Sequence, residues 1–286
     1  NIYLRGIYST DGSFNFHHNT VTNVQGDSSS IGIFSFYGIG KVENNTVSYA
    51  NDAISANWSY GIEFLGNTIT HSNSGIHTDN AGSTVGSVPD LIKGNTIDCT
   101  GVTDAYGVFV FSPYIAPTID ENTITNCAAG ITIFGQAASA TTPVTTQVTD
   151  NVVTGNLSVG STGVFITTIL YGYDYTDVSA NFTGNIITGF ETGVQVYGDV
   201  LWGYTPWTAQ SINVNFDHNK ILNNTTAVNQ DAATGVTYTT DFTENWWGSA
   251  CGPNSIVGNV SYSPWYADEA MTTLVSGATG SYTFAA

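Results

Sequence analysis

Two acidic residues near the middle of the chain could do chemistry together. Glu121 and Asp150 each stand directly before an Asn that recurs along the sequence. If the repeats stack, their backbones lie about 5 Å apart, which suits the carboxyl pair of a retaining glycosidase. With Asp120 they could instead bind calcium, because this ion takes carboxylate oxygens. The third interpretation is a set of solvated turn residues, since acidic residues mark functional sites only statistically.

The histidines contain one local cluster. His71, His77 and Asp79 lie within nine residues of each other. A metal ion needs three or four converging ligands, so the alternative is that these are polar turn residues. His18 and His218 also stand before recurring Asn residues, at positions far apart in the sequence.

The cysteines offer one pairing. Cys99 lies four residues after its recurring Asn, and Cys127 lies five residues after the next one. Stacked repeats would bring them within reach of a disulfide, and the alternative is two small buried hydrophobic side chains. Cys251 is then the unpaired thiol.

Two aromatic-rich segments, TTILYGYDYTDVSA and GDVLWGYTPWTAQS, interrupt the two longest repeats at equivalent places. Exposed Tyr and Trp can stack on sugar rings, form the centre of a protein interface or fold back over the chain's own apolar side. Tyr114 stands at a similar place in an earlier repeat. The candidate ligand or interface residues are Tyr171, Tyr173, Tyr175, Trp202, Tyr204 and Trp207.

A repeat must position all of these residues. A phrase of Asn, one residue, then an aliphatic residue recurs at spacings of 22 to 34 residues, and a small residue followed by Ile or Val comes after it. Three short alternating strands per repeat predict one rung of a parallel β-helix, since stacked rungs bury what a single rung exposes. We expect nine to ten rungs, in a rod on the order of 45 Å long. The recurring Asn is expected to lie in a turn, in the left-handed conformation, with its amide bonded to the equivalent residues above and below. The recurring residues are Asn19, Asn45, Asn67, Asn95, Asn122, Asn151, Asn185, Asn219 and, as a variant, Asn245.

The amino-acid composition restricts the classes of partner that the chain can bind. Lys and Arg number 4 against 22 Asp and Glu, a net charge of −18 over 286 residues. So few cations disfavour nucleic acid and anionic membrane surfaces, and no apolar stretch is long enough to span a membrane. Sequons for N-glycosylation agree with an extracellular location. They occur at Asn44, Asn57, Asn156, Asn181, Asn223, Asn224 and Asn259.

The ends of the rod favour self-assembly. Ile2, Tyr3 and Leu4 enter the pattern in mid-rung, and we expect the β-helix to cover residues 1–266. Residues 267–286 form a β-prone tail in which Tyr282 and Phe284 alternate with small residues. Such a tail could add to the open edge of a neighbouring subunit. The alternative is a tail folded against its own last rung.

The phrases NTITHSNSGI and NTITNCAAGI resemble the parallel β-helix repeats of the pectin-lyase-like superfamily, which includes periplasmic copper-processing and sugar-hydrolase relatives. The segment ENWWGSACGPNSIVGNVSYSPWY resembles the end of secreted β-helix repeat proteins of bacteria and archaea. The resemblance covers about residues 6–266 and implies a right-handed solenoid.

The resemblance also supplies catalytic patterns to look for. Lyases of the superfamily use an Arg or Lys beside calcium-binding acids. Here Arg5 lies before the first recurring Asn, and Lys41, Lys93 and Lys220 stand on repeats that are not neighbours. The Asp-Asp, Gly-His-Gly and Arg-Ile-Lys motifs of the polygalacturonase-like hydrolases do not occur in the sequence. Enzymatic activity is therefore disfavoured.

Together these features predict an extracellular, self-assembling structural subunit of a filament, sheath or surface layer. Its partner would be itself, with glycans as a further possibility, and no cofactor is expected unless calcium binds. The alternative is a carbohydrate-binding or carbohydrate-active β-helix, or an adhesin.

Overall fold

The computed structural model describes residues 4–80, 88–111, 115–137, 145–168, 175–198 and 210–277, and every regular element in them is a β-strand. The strands are β1 (Arg5–His17), β2 (Thr20–Val24), β3 (Ile31–Glu43), β4 (Thr46–Ala50), β5 (Asp52–Ser59), β6 (Ile62–Leu65), β7 (Thr68–Thr70), β8 (Ser74–Asn80), β9 (Leu91–Lys93), β10 (Thr96–Asp98), β11 (Tyr106–Phe111), β12 (Thr118–Asp120), β13 (Thr123–Thr125), β14 (Ala129–Phe134), β15 (Gln136–Ala137), β16 (Thr146–Thr149), β17 (Val152–Thr154), β18 (Thr162–Thr167), β19 (Tyr175–Thr183), β20 (Ile186–Thr188), β21 (Thr192–Tyr197), β22 (Gln210–Asp217), β23 (Lys220–Leu222), β24 (Thr226–Gln230), β25 (Val236–Asp241), β26 (Ile256–Val257), β27 (Trp265–Tyr266) and β28 (Leu274–Val275).

Strands from successive repeats pair in parallel to make three faces. The first face is the sheet β2-β4-β7-β10-β13-β17-β20-β23, each strand of which follows a recurring Asn. The second face runs β5-β8-β11-β14-β18-β21-β24-β26, and the third runs β6-β9-β12-β16-β19-β22-β25. The long strands β1 and β3 pass through both of these faces. This arrangement confirms the prediction of an all-β parallel β-helix.

A ladder of asparagine amides runs along one corner of the helix. From Asn19 to Asn245, each Nδ2 donates to the Oδ1 of the next ladder Asn at 2.9–3.0 Å. The backbone N–H of each Asn donates to the same oxygen. The predicted bonding between rungs is therefore present.

The left-handed residue at this corner is the one before the ladder Asn, which corrects the expectation that the Asn itself adopts it. All nine preceding residues have φ between 53° and 74°. The left-handed residue turns the chain at this corner. The side-chain amide of the Asn that follows then points into the β-helix, where it bonds to the amide of the next ladder Asn. The nine residues are His18, Asn44, Gly66, Gly94, Glu121, Asp150, Gly184, His218 and Glu244.

Close packing in the core explains why the repeated phrase contains a small residue. A Cβ at Gly130 would lie 2.3 Å from Val153 Cγ1 and 2.5 Å from the carbonyl oxygen of Gly163, so the first face packs directly on this backbone. Further along, Phe182, Phe216 and Phe242 are fully buried and stack with ring centroids 4.0 and 4.5 Å apart.

The chain folds back on itself after the last long strands. β27 and β28 form an antiparallel hairpin, so strand pairing continues past residue 266, the predicted end of the β-helix. Trp265 and Tyr266 are buried. Ser263 and Gly277 exchange two hydrogen bonds. Residues 267–277 therefore lie against their own last rung, which is the alternative that the sequence left open for this part of the tail. The assembly candidates Ile2, Tyr3, Tyr282 and Phe284 lie outside the described residues, and Leu4 bonds to Ile31 and Ser30 of its own chain.

Of the residues that the structure describes, none belongs to a helix of the length and apolarity needed to cross a bilayer.

Candidate functional site

The second face carries a group of polar side chains on β5 and β8, here named the polar strip: Asp52, Ser55, Asn57, His77 and Asp79. Ser55 and His77 are paired in register. The strip lies between aromatic residues on the rungs to either side, and all of its members are buried or half-buried. On β3 these are Phe34 and Phe36, and on β11 and β14 they are Phe109, Phe111 and Phe134.

The aromatic rings make two clusters. On the β3 side, Phe36 contacts Tyr37 at 4.3 Å between ring centroids, and Tyr37 contacts Trp58 at 6.2 Å. On the β11 side, Phe109 contacts Phe111 at 4.8 Å, and both contact Phe134. The polar strip is therefore bordered by apolar ring surfaces on both sides.

His77 is the centre of the polar strip. Its Nδ1 lies 3.5 Å from Asp52 Oδ2 and 3.3 Å from Ser55 Oγ, and its ring packs 4.5 Å from that of Phe109. Its Nε2 is buried and has no hydrogen-bond partner among the described residues. A Ser-His-Asp triad needs the Ser and the Asp on opposite ring nitrogens, whereas here both contact Nδ1. This arrangement is not a hydrolase triad, and Nε2 needs a partner that the described residues do not supply.

Asp79 is held at the end of the strip. It accepts hydrogen bonds from the Trp58 backbone N–H and from Asn57 Nδ2. Burial raises its pKa, against the opposing effects of His77 and these two hydrogen bonds. A carboxyl group that protonates more readily than usual can both donate and accept hydrogen bonds.

The predicted His71–His77–Asp79 cluster does not form. His71 follows β7 on the first face, where its ring stacks on Tyr49 with centroids 4.8 Å apart. His77 lies on the second face, against Asp52. Within the described part of the chain, no group of three or more His, Cys, Asp or Glu side chains is placed to hold a metal ion.

His71 instead borders a concavity of about 520 Å³, beside a second of about 550 Å³. Both share the segment 101–104 as a wall. Their other lining is mostly amide and hydroxyl groups, so they offer less chemistry than the polar strip.

The side chains of the predicted acidic pair, Glu121 and Asp150, turn toward different rungs. Lys93 Nζ contacts Asp120 Oδ2 at 2.6 Å and Glu121 Oε1 at 3.2 Å on the next rung. Asp150 instead points toward the following rung, where its Oδ1 lies over Gly184. Burial alone would raise the pKa of Asp120, but hydrogen bonds from Lys93 and Thr149 outweigh it and hold that pKa below its usual value. These contacts favour turn residues over a catalytic pair, because the side chains of Glu121 and Asp150 diverge.

The remaining predicted residues are placed as follows. Cys99 and Cys127 form a disulfide with their sulfurs 2.02 Å apart, and Cys251 is an exposed free thiol. Tyr114 and five of the six loop aromatics, all except Tyr175, lie outside the described residues. The backbone of Tyr175 pairs with Ala137, and its side chain is not described.

The sequons differ in exposure. Asn224 is 4% exposed, its Oδ1 accepts from Phe190 N, and its Nδ2 donates to Ile187 O. The glycan-attachment nitrogen is thus used inside the core, which corrects the prediction for this residue. Half-buried sequon residues are Asn57 and Asn181, and exposed ones are Asn44, Asn156, Asn223 and Asn259.

The sequence contained a signal for the polar strip that was missed. In IGIFSFYG and GVFVFSP, aromatic residues occupy alternate positions, which places them together on the outer side of a strand. The intervening repeats have Ser55, Asn57, His77 and Asp79 at the corresponding outward positions. Only the register between rungs shows that these polar residues separate the aromatic ones.

Two adjacent histidines lie at another corner of the molecule. His17 ends β1 and His18 occupies the left-handed position before the ladder, and their Nδ1 atoms are 3.1 Å apart. Both side chains are exposed. Asp217 and His218 hold the same two positions in a later rung. There, both nitrogens of His218 have partners, Asp217 Oδ1 at 3.1 Å and the Tyr266 hydroxyl at 2.9 Å.

Comparison with protein families finds one match over most of the chain. The family described as NosD, periplasmic copper-binding protein, matches residues 14–259. Comparisons with curated proteins and with solved structures found no significant match.

Proposed function

The chain belongs to the NosD family, and from this premise we propose that it is a cell-envelope β-helix that binds carbohydrate at its polar strip. The observation that carries the proposal is the position of His77, Asp79 and Asn57 between two aromatic clusters on neighbouring rungs. Binding sites for small molecules typically combine apolar aromatic walls with a few placed polar groups.

The chemistry of the strip matches sugar hydroxyls. Asn57 and His77 can donate and accept hydrogen bonds, Asp52 accepts them, and His77 Nε2 has no partner in the part of the chain that the structure describes. The aromatic residues of β3 and β11 stand three strand spacings apart, about 14 Å, with the polar strip between them. Their rings provide faces on which sugar rings stack.

Charge restricts the carbohydrate class. The chain carries a net charge of −18, and Asp52 and Asp79 lie in the strip itself. Like charges brought together at an interface oppose binding. The preferred ligand is therefore a neutral or amino-containing glycan rather than a polyuronate.

Whether this chain can bind copper depends on which metal-ligand side chains it presents. Copper favours imidazole, thiolate and thioether ligands. Cys99 and Cys127 are joined in a disulfide, and the sequence contains one methionine. Beside His77 the structure places carboxylate, hydroxyl and aromatic groups, so the polar strip is not a copper centre. The exposed His17–His18 pair brings two imidazole nitrogens together, but it belongs to no group of three or more metal ligands among the described residues and so does not make a copper site.

The description of the family is that of a periplasmic protein. Exposure at the cell surface is our proposal. It is supported by the Cys99–Cys127 disulfide, because such bonds persist in oxidising compartments outside the cytosol, and by exposed sequons such as Asn156.

Self-assembly into a filament, sheath or surface layer is a second proposal. It is supported by exposed apolar side chains such as Tyr8, Tyr106 and Val159, of which Val159 is 95% exposed. Residues of this kind are enriched where proteins pack together. Since residues 267–277 fold against their own chain, lateral contacts or residues outside the described part would have to make the assembly.

A glycan array followed by calorimetry tests the carbohydrate proposal. Phe109→Ala and Asn57→Ala should each weaken binding of the captured glycan by about tenfold, the loss of one or two good contacts. Phe165→Ala, which removes a half-buried aromatic of the same face two rungs beyond Phe109, is the matched control and should bind as the unmodified chain does. Absence of any captured glycan, or full affinity in Phe109→Ala, would reject the proposal.

The same samples separate binding from catalysis. Product analysis after incubation with the captured glycan should show no new reducing ends or unsaturated sugars. Release of such products, abolished by Asp79→Asn, would make the protein an enzyme instead of a binding protein.

A further inference from the structure

The outward side of the first face carries two straight ranks of side chains on its first five strands. Each of these strands has a buried Val or Ile between two outward residues. Nine of the ten outward residues carry a hydroxyl group. We name this surface the threonine face. Its first rank is Thr20, Thr46, Thr68, Thr96 and Thr123, and its second rank is Thr22, Ser48, Thr70, Asp98 and Thr125.

Strand propensity alone does not explain this composition. Thr is favoured on exposed strands in general, so the third face of the same five rungs is the natural comparison. Its ten outward positions hold one hydroxyl residue and five charged ones. Charged side chains are thus common on one face of these rungs and nearly excluded from the other. The third-face positions are Asn15, His17, Lys41, Glu43, Glu63, Leu65, Leu91, Lys93, Thr118 and Asp120.

Asp98 is the one charged residue among the ten positions of the threonine face, and its own chain engages it. Its Oδ1 accepts from Thr100 Oγ1 at 2.6 Å and from Thr125 Oγ1 at 3.1 Å. These bonds use acceptor sites of the carboxylate that would otherwise bind solvent. The face therefore offers mainly hydroxyl and methyl groups.

The fold fixes the spacing of the two ranks. The backbone N–H groups of Thr46, Thr68, Thr96 and Thr123 each donate to the carbonyl of the ladder Asn one rung before, and all four bonds are 2.8 Å long. The χ1 angle of a β-branched side chain is restricted, so the hydroxyl and methyl groups repeat with the backbone. A surface organised in advance loses little conformational entropy when it binds.

This repeat is close to that of ice. Rungs follow one another about every 4.8 Å. In ice each water oxygen has four tetrahedral neighbours at an O–H···O length of about 2.75 Å, which places second-neighbour oxygens about 4.5 Å apart. Over the four intervals from Thr20 to Thr123 the two repeats diverge by about 1.2 Å, less than half of one repeat. Water molecules bonded to successive Thr residues can therefore belong to one row of the ice lattice.

The chemistry of the threonine face suits ordered water. A Thr hydroxyl donates and accepts hydrogen bonds, as water does, and its methyl group limits the orientations of the water beside it. Charged side chains would instead orient water around themselves and disturb the lattice. A neutral surface with a regular repeat thus fits a crystalline array of water.

We propose that the threonine face is an ice-binding surface, whose ligand is the ordered water at the surface of an ice crystal. An adsorbed molecule occupies lattice positions and so slows the growth of the crystal around it. The polar strip lies on the second face, so this inference goes beyond carbohydrate binding and does not depend on it.

Inhibition of ice recrystallisation by the full chain tests the proposal. The unmodified protein should keep ice grains small at concentrations at which serum albumin does not. Thr68→Tyr and Thr96→Tyr each place a ring in the middle of the first rank, which holds the face away from the ice. Each variant should need about tenfold more protein for the same inhibition. Thr118→Tyr, the same change on the third face, is the matched control and should keep full activity. Tyr is accepted in strands, and thermal unfolding checks that each variant keeps the fold.

A fluorescent label on the exposed thiol of Cys251 gives a second readout. Labelled protein should coat a growing ice surface, and labelled Thr68→Tyr should not. Absence of inhibition by the unmodified protein, or an equal loss in Thr118→Tyr, would overturn the proposal and leave strand propensity as the reason for the threonines.

A regular polysaccharide surface is the competing ligand. Adsorption to powdered crystalline chitin but not to ice, lost in Thr68→Tyr, would overturn the ice proposal in its favour. Binding of a soluble glycan at the polar strip should be unchanged in Thr68→Tyr, so the ice proposal and the carbohydrate proposal can each fail alone.

Discussion

Ser59 and Asp90 are joined inside the β-helix: Ser59 Oγ donates to Asp90 Oδ2 at 2.7 Å, and both side chains are fully buried. Asp90 also accepts from Thr78 Oγ1 at 2.5 Å and from the backbone N–H of Ile62 at 2.7 Å. One carboxyl group thus connects β5, β6 and β8. It supports the rungs that carry the polar strip, because Thr78 lies between His77 and Asp79.

Asp90 should make stability depend on pH. Burial raises its pKa from 3.8 to about 6, against the effect of its hydrogen bonds. Between these two values the folded chain holds a proton that the unfolded chain has released. The contribution of this group is therefore full below pH 3.8 and is lost as pH rises through 6, by on the order of 3 kcal/mol in total. Urea unfolding from pH 4 to pH 7 measures it.

The substitution Asp90→Asn should remove this part of the pH dependence, because its amide does not titrate. Asp104→Asn, at an exposed position, serves as the control. An Asp90→Asn protein whose stability followed pH as the starting protein does would show that Asp90 is not the group responsible.

The asparagine ladder should dominate stability in the middle of the rod. Asn122→Ala removes two donated and two accepted hydrogen bonds at a buried position. Unsatisfied buried partners cost about 1–3 kcal/mol each, so we expect a loss of about 4 kcal/mol or more. Chemical denaturation should show it, whereas Asn259→Ala, at an exposed position, should change stability by less than about 1 kcal/mol. Equal effects of the two substitutions would contradict a special role for the ladder.

The disulfide should stabilise two adjacent rungs. Cys99 and Cys127 are 28 residues apart in sequence, and closing a loop of this length in the unfolded chain is worth about 3 kcal/mol. The double variant Cys99→Ser/Cys127→Ser should lose about that much in denaturation experiments. Cys251→Ser is the control, because its thiol is exposed and unpaired.

Lys93 should be the residue that keeps Asp120 ionised. Lys93→Met should raise the pKa of Asp120, because the hydrogen bond and the opposite charge are both lost, and NMR titration of the carboxyl carbon measures it. Since the Lys93 side chain is 40% exposed, the loss of stability should stay below about 1 kcal/mol.

Calcium should not raise the melting temperature of the unmodified protein. A rise that Asp120→Asn abolishes would restore the calcium interpretation of Asp120, Glu121 and Asp150.

Self-assembly can be measured directly. Negative-stain electron microscopy at rising protein concentration should show filaments or sheets if the second proposal is right. Cys251→Ser should assemble normally under oxidising conditions, unless bridges through this thiol join the subunits. Single short rods at every concentration, with and without calcium and reductant, would remove the assembly proposal and leave binding as the function to pursue.

The sequence by itself determined the solenoid. Recurring Asn residues, small residues before Ile or Val, and alternating strands at spacings of 22 to 34 residues specify which side chains face inward. This information is local, because each rung repeats the same constraint: an amide that needs partners and an apolar side that one rung cannot bury. The fold therefore followed from the pattern, whereas the family rested on the resemblance of the repeats and on the family match.

Only the tertiary structure decided which outward residues meet. Ser55 pairs with His77, and Lys93 with Asp120, at equivalent positions of neighbouring rungs, but the contacts made there depend on which side chain each rung carries. For the same reason Glu121 and Asp150 share a position in the repeat but turn to different neighbours. A stacked fold conserves the inward contacts of every rung, whereas its surface sites arise from differences between rungs, which a repeat pattern does not encode.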